Sequence, residues 1–301
     1  MDLQSIINSR YGIGFALFLG KIVPIKLGYS LARGLADRIS TRKESPMVKA
    51  ARLNQWMISG QRLTGEDLDQ AVLKTFRFTA RCQFDLYHNI KNPTNLKNLI
   101  KFTPRAEEII ERCKTPNNPI LVVGLHLSNL DVAFLGLGSM GVKAYGISAP
   151  NPGGGYQWQN DIRSDYGFEM LPASKGAIRE AVSRYKEGYT VITAVDRPIP
   201  ETKYQPKFFG HHSALPVVHI ILALRLNTPV YLAMTTVDVD GKYLTDISPP
   251  INIKPYSDRT TTIIRNAESV LEVAESYILK SPHQWAMFYP VWPDLMDKVP
   301  G

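Results

Sequence analysis

The stretch PILVVGLHLSNLD, Pro119 to Asp131, decides how the chain folds. Its first half is a short unbroken apolar run, the pattern of a strand buried on both faces of a parallel sheet. Its second half turns polar and carries a histidine five residues ahead of an aspartate. Ser128-x-x-Asp131 has the form of a capping box, so a helix is expected from about residue 129. His126 then stands in the turn between strand and helix. On a regular helix, five residues carry a side chain roughly 140° away from facing its partner. The pair therefore meets only if His126 precedes the helix and bends back over its first turn. In that geometry Asp131 accepts from one imidazole nitrogen, sets the tautomer and leaves the other nitrogen as a base. A plain helix start with a satisfied histidine fits the same residues, and the spacing alone does not choose.

Downstream, strands and helices alternate. VKAYGIS (142–148), EMLPA, YTVITAV, TPVYLAMTTVDV and KYLTDIS read as strands. Between them lie a polar loop, APNPGGGYQWQ, and a helix holding Asp161 and Arg163. A second helix, KGAIREAVSRYKEG, has Ser174 as its cap and Gly188 at its end. A final helix over 260–280 repeats Ile263, Ala267, Val270, Leu271, Ala274 and Ile278 at helical spacing. The expected fold is α/β, a mostly parallel central sheet flanked by helices. His126 and Asp196 both fall at carboxyl ends of strands, the edge where open α/β sheets carry their sites.

Upstream, residues 1–115 read as helical. Leu68, Val72, Phe76 and Phe84 repeat near 3.6 residues, and Thr64 with Asp67 suits a capping pair. No linker rich in Pro, Gly or Ser separates this region from the rest. We therefore expect residues 1–115 to be an N-terminal helical, membrane-associating extension packed on an α/β core of residues 116–301. Residues 1–53 hold +6 of the chain's formal +8 charge. Their cations are spread through YGIGFALFLGKIVPIKLGYSLARGLADRI, whose longest charge-free run, Tyr11 to Gly20, is about half of a bilayer span. Apolar clusters studded with Lys and Arg suit a helix lying in an anionic membrane interface. A basic face packed on the core is the plainer alternative. No aromatic-interleaved basic stripe points to nucleic acid.

Cys82 and Cys113 are the only cysteines and lack metal or redox spacing, so no disulfide framework or thiolate site is expected. His211, His212 and His219 lack a carboxylate cluster at ligand spacing, and no metal is expected. GLGSMG, Gly136 to Gly141, matches a dinucleotide fingerprint in letters alone. A predicted helix precedes it and a strand follows, the reverse of what that motif requires.

The H-x4-D pair after an apolar strand resembles the signature of the glycerolipid acyltransferases. Further blocks resemble one branch of them, the bacterial lipid A biosynthesis acyltransferases and the related phosphatidylinositol mannoside acyltransferases. These are NDIRSDYGFEMLP with Arg163 and Gly167, EGYTVITAVDRP with Asp196, KFFGHHSALPVVHIILALRLNTPVYL, and the closing SPHQWAMFYPVW. The resemblance covers about residues 120–292. It implies acyl transfer from acyl-CoA or acyl carrier protein to a hydroxyl of a lipid or glycolipid, without a cofactor. His126 would be the general base, oriented by Asp131. Arg163 would hold an anionic acceptor group or stabilise the oxyanion, and Asp196 would orient Arg163 or the acceptor. Asn129 and Arg197 would contact substrate, Phe208, Phe209 and Gly210 would line an acyl groove, and Trp285 would pack. Arg197-Pro198 stands where the lipid A branch commonly has Gln after Asp, and YPVWPDLMD turns acidic where that branch is basic. Both departures lean toward the glycolipid-acylating relatives. The expected location is the cytoplasmic face of a bacterial cell membrane, peripheral or monotopic. A thioesterase or hydrolase using the same base on water, and a non-catalytic lipid-binding relative, are the competing functions.

Overall fold

The computed structural model describes residues 22–90, 92–115, 118–148, 154–199 and 202–301, with isolated positions 14, 17, 18 and 20 before them. Most of the run Tyr11 to Gly20, and residues 149–153 of the glycine-rich loop, lie outside the described residues.

Among the described residues the chain opens with helices α1 (Ile25–Ser40), α2 (Pro46–Ile58), α3 (Gly65–Asn89) and α4 (Pro93–Leu99). Strand β1 (Ile100–Phe102) and helix α5 (Pro104–Lys114) follow. Then come β2 (Leu121–Gly124), α6 (Leu130–Ser139), β3 (Ala144–Ser148), α7 (Gly154–Asp165), β4 (Phe168–Pro172), α8 (Lys175–Lys186) and β5 (Thr190–Ala194). A small hairpin, β6 (Lys207–Phe208) and β7 (His211–His212), leads to α9 (Val218–Leu226), β8 (Val230–Val237), β9 (Tyr243–Ile247) and α10 (Arg259–Lys280).

Seven strands form one sheet in the order β1-β9-β8-β2-β5-β3-β4. From β8 to β4 neighbours run parallel; β9 returns antiparallel to β8 and carries β1 parallel to itself. The mixed, mostly parallel α/β sheet is the one expected. Strand β2 lies at its centre and is buried along its whole length. Leu121 and Val123 enter one core cluster with Leu232, Ile220 and Ile263, while Val122 enters another with Ile192, Tyr231 and Phe168. Helices on both faces require apolar side chains in both directions, which is why PILVVGL does not alternate.

Two local differences from the sequence reading have physical causes. Residues 100–102 form a sheet edge inside the region expected to be helical, because three residues are too few to show a period. The extension thus contributes a strand to the sheet. The cap of α6 is Asn129, whose Oδ1 accepts from the backbone N–H of Asp131 at 3.0 Å. Ser128, expected as the cap, instead lies in the left-handed region with φ +60°. Ser174 caps α8 as expected, accepting from the N–H of Ala177 at 3.0 Å. In GLGSMG, Gly138 serves packing, since a Cβ there would stand 2.1 Å from the carbonyl oxygen of Tyr166, while Gly141 takes the positive φ of +87° after the helix. The motif is a helix ending, as expected.

α1 packs along α3, with Gly28 pressed against the Phe84 ring, where a Cβ would stand 2.0 Å from a ring carbon. A second link is polar. The Tyr29 hydroxyl donates to Asp85 Oδ1 at 2.6 Å and the Tyr243 hydroxyl to Asp85 Oδ2 at 2.8 Å. Burial, then the Asp85 carboxylate, push the Tyr29 phenol up to about 12. Leu27, Leu31 and Leu35 of α1 are about half exposed and repeat at i, i+4, and Ile22 and Phe18 ahead of the helix are exposed as well.

Candidate active site

The register of β2 against β5 builds the site. Gly124 pairs with Ala194, and two residues further along each strand stand His126 and Asp196. Parallel neighbours in register deliver the two side chains abreast at the carboxyl edge of the sheet. His126 Nδ1 lies 2.6 Å from Asp196 Oδ1, and the His126 backbone N–H donates to Asp196 Oδ2 at 3.0 Å. Asp196 is fully buried, whereas a third of the His126 side chain is exposed. An ionised carboxylate on Nδ1 fixes the proton there and makes Nε2 the basic nitrogen.

This corrects the expected pairing. The structure pairs His126 with Asp196, whereas Asp131 Oδ1 accepts from Arg163 Nε at 2.6 Å, and both of the latter side chains are largely buried. Arg163 Nη1 also donates to Asn160 Oδ1 at 2.8 Å, one turn back on α7. The pair ties the first turn of α6 to α7. Asp196, expected to orient Arg163 or the acceptor, is hydrogen-bonded to His126. The physical reason is sheet adjacency: β2 and β5 are neighbours, and the first turn of α6 leads Asp131 toward α7.

The turn carrying His126 is fastened from the far end of the chain. Leu127 sits opposite Trp285 in an antiparallel bridge, the Ser128 N–H donates to the Gln284 carbonyl at 2.7 Å, and the Ala286 N–H donates to the His126 carbonyl at 2.9 Å. The Trp285 indole donates to Asp196 Oδ2 at 2.8 Å. Trp285, expected only to pack, therefore touches the carboxylate behind the histidine. Ser128, buried at a positive φ, marks local backbone strain of the kind found at functional turns.

The remaining expected site residues scatter. Asn129 is buried, capping α6 and donating through Nδ2 to the Cys82 carbonyl at 3.0 Å, so its amide is engaged within the fold. Phe208 is fully buried and stacks on Trp292 at 5.6 Å between ring centres. Phe209 and Gly210 form the hairpin turn with φ +49° and +76°. The Arg197 guanidinium lies over the Tyr289 ring at 4.2 Å. A narrow apolar crevice lined by Leu86, Tyr87, Ile90, Leu135 and Ile162 reaches the Asp131–Arg163 pair.

His211 and His212 are exposed in the hairpin, and His219 is fully buried with neither ring nitrogen partnered. Among the described residues no three His, Cys, Asp or Glu side chains are grouped to hold a metal ion, and no helix is long and apolar enough to cross a membrane.

The model of one protein family, described as bacterial lipid A biosynthesis acyltransferase, matches residues 6–293. No curated protein matches the chain.

Proposed function

The chain belongs to the bacterial lipid A biosynthesis acyltransferase family, and from that premise we propose that it moves a fatty acyl chain from acyl-CoA or acyl carrier protein to a hydroxyl of a lipid or glycolipid acceptor. His126 is the general base. The observation that carries this reading is the His126–Asp196 pair, partly open to solvent on the histidine side and fully buried on the carboxylate side.

The steps follow from that arrangement. With Nδ1–H given to Asp196, Nε2 accepts the proton of the acceptor hydroxyl as its oxygen attacks the thioester carbonyl carbon. The new C–O ester bond forms, the C–S bond breaks, and the proton returns from the imidazolium to the leaving thiolate. Asp196 stabilises the transient imidazolium, the kind of role that the family resemblance implied for Asp131. Asp131 and Arg163 hold α6 against α7, and with them the far end of the turn. This chemistry uses no cofactor and no metal.

An acceptor embedded in a bilayer needs an enzyme at its surface. The half-exposed Leu27, Leu31 and Leu35 of α1, flanked by exposed Lys26, Arg33 and Arg38, support docking on an anionic membrane, peripheral or monotopic, at the cytoplasmic face. The basic N-terminal region is not one uniform patch. Lys43 and Arg52 both meet Asp69, Lys49 meets Glu44, and Arg77 of α3 meets Asp37. Lys26, Arg33 and Arg38 beside the leucine stripe are the cations best placed to face lipid.

The test uses purified protein, bacterial lipid extract and a radiolabelled long-chain donor, offered as acyl-CoA and as acyl carrier protein. A labelled lipid made by the wild type and absent with folded His126→Ala supports the proposal. Label released only as free fatty acid replaces it with the hydrolase reading. Bound lipid without any product favours a non-catalytic relative.

A further inference from the structure

We infer that Trp285 is a positioning residue that acts through Asp196 to hold His126 in its Nδ1–H tautomer. The argument is a count of donors on a buried carboxylate. Asp196 Oδ2 receives the His126 backbone N–H at 3.0 Å and the Trp285 indole N–H at 2.8 Å. With Oδ2 doubly occupied, Oδ1 is the oxygen left for His126 Nδ1, at 2.6 Å. A carboxylate with one oxygen saturated presents the other in a single direction, which orients the imidazole as well as charging its surroundings.

The indole is held as firmly as the acid. Trp285 is almost fully buried, with ring centres 5.9 Å from Phe208 and 6.4 Å from Trp292. Its backbone neighbours are fixed too. The Gln284 side chain spans the edge of β8, accepting from the Val237 N–H at 2.8 Å and donating to the Val237 carbonyl at 3.0 Å. Asn54 on α2 donates to the carbonyls of Met287 and Tyr289 at 2.9 and 2.8 Å. Trp292 in the same aromatic cluster supplies the contrast. Its indole N–H has no partner among the described residues, so packing alone does not bring an indole donor onto a carboxylate.

Two readouts test this, and only the second rests on the acyl-transfer reading. In protein carrying 15N-histidine, with His126 assigned by loss of its signals in His126→Gln, the wild type should show the Nδ1–H tautomer and a downfield ring N–H proton. Trp285→Phe keeps an aromatic ring and removes the donor. It should lose that proton signal and draw the two ring 15N shifts together as tautomers mix. In the acylation assay it should lower kcat about 10- to 100-fold with KM changed less than about twofold, the pattern of a charged hydrogen bond that supports the transition state. In an Asp196→Asn background the same substitution should cost less than about threefold more, since its route is already cut. Folded Trp285→Phe with wild-type ring signals overturns the inference, and so does a full multiplicative loss in the Asp196→Asn background. If Trp285→Phe does not fold, benzothienylalanine placed at 285 exchanges only the N–H for sulfur and is judged by the same signals. A wild type without acyl transfer refutes the proposed reaction, while the ring signals still decide the role of Trp285.

Discussion

Arg163 on α7 donates through Nε to Asp131 on α6 at 2.6 Å, with side-chain exposures of 9% and 18%. Removing one member of a mostly buried ion pair leaves the other desolvated. Asp131→Ala should therefore cost about 3 kcal/mol in urea unfolding. Asp131→Ala with Arg163→Met should recover at least about 1 kcal/mol of that loss. A single-variant cost below about 0.5 kcal/mol would show that the pair does not fasten α6 to α7.

His126 and Asp196 should answer differently from Asp131. His126→Ala should reduce acyl transfer by about a thousandfold or more, and it should also lower the unfolding midpoint, because it takes one donor from the fully buried Asp196 carboxylate. Asp196→Asn should reduce it by about a hundred- to ten-thousandfold, because an amide no longer demands the Nδ1–H tautomer. Steady-state kinetics on folded variants decide the point. An Asp131→Asn variant more impaired in kcat than Asp196→Asn would return the orienting role to Asp131.

The face of α1 can be tested apart from the chemistry. Replacing Lys26, Arg33 and Arg38 together by Gln should weaken binding to phosphatidylglycerol vesicles about a hundredfold, at about 1 kcal/mol per cation. Leu31→Glu should weaken it on vesicles of any charge. Neither change touches the packed face of α1, so thermal midpoints should hold. Flotation with lipid at graded salt reads both effects, and unchanged binding in both variants would remove α1 as the docking face.

His219 predicts a pH dependence of stability. Complete burial lowers its imidazole to about 3. Because the folded value lies below the unfolded one, the unfolded chain takes up a proton first, and stability falls as pH drops from about 6.5 toward 3. Within that window the loss approaches about 1.4 kcal/mol per pH unit. His219→Leu should remove one proton's worth of that slope. It should also gain about 1–3 kcal/mol at neutral pH by replacing an unpartnered buried polar ring. Urea unfolding at pH 7, 6, 5 and 4.5 measures both, and an unchanged slope would show that His219 takes no part.

The α/β architecture and the carboxyl-edge placement of His126 and Asp196 were legible in the sequence, because apolar strands and capped helices leave strong local patterns. Their partnership was not. Proximity along the chain favours Asp131, five residues from His126, over Asp196, seventy residues away. What brings Asp196 in is that β5 lies beside β2, and strand order leaves no local signal. Trp285 was read as packing for the same reason, since an indole looks alike in sequence whether its N–H is idle, as at Trp292, or engaged. Asn129 and Phe208 were drawn into the site by their place within motifs, and the structure spends both on the fold.

The clasp on His126 also sets an order of events in time. Residues 284–286 are synthesised about 160 residues after the turn they fasten, and Asn54 must wait still longer for Met287 and Tyr289. Throughout elongation the parallel strands β2 and β5 can find each other, yet Asp196 lacks one of its donors and the Ser128 N–H lacks the Gln284 carbonyl that receives it. A nascent chain thus holds the histidine and its acid without the clamp that shapes them. The clamp is complete only when the closing segment has left the ribosome and folded back over the sheet edge.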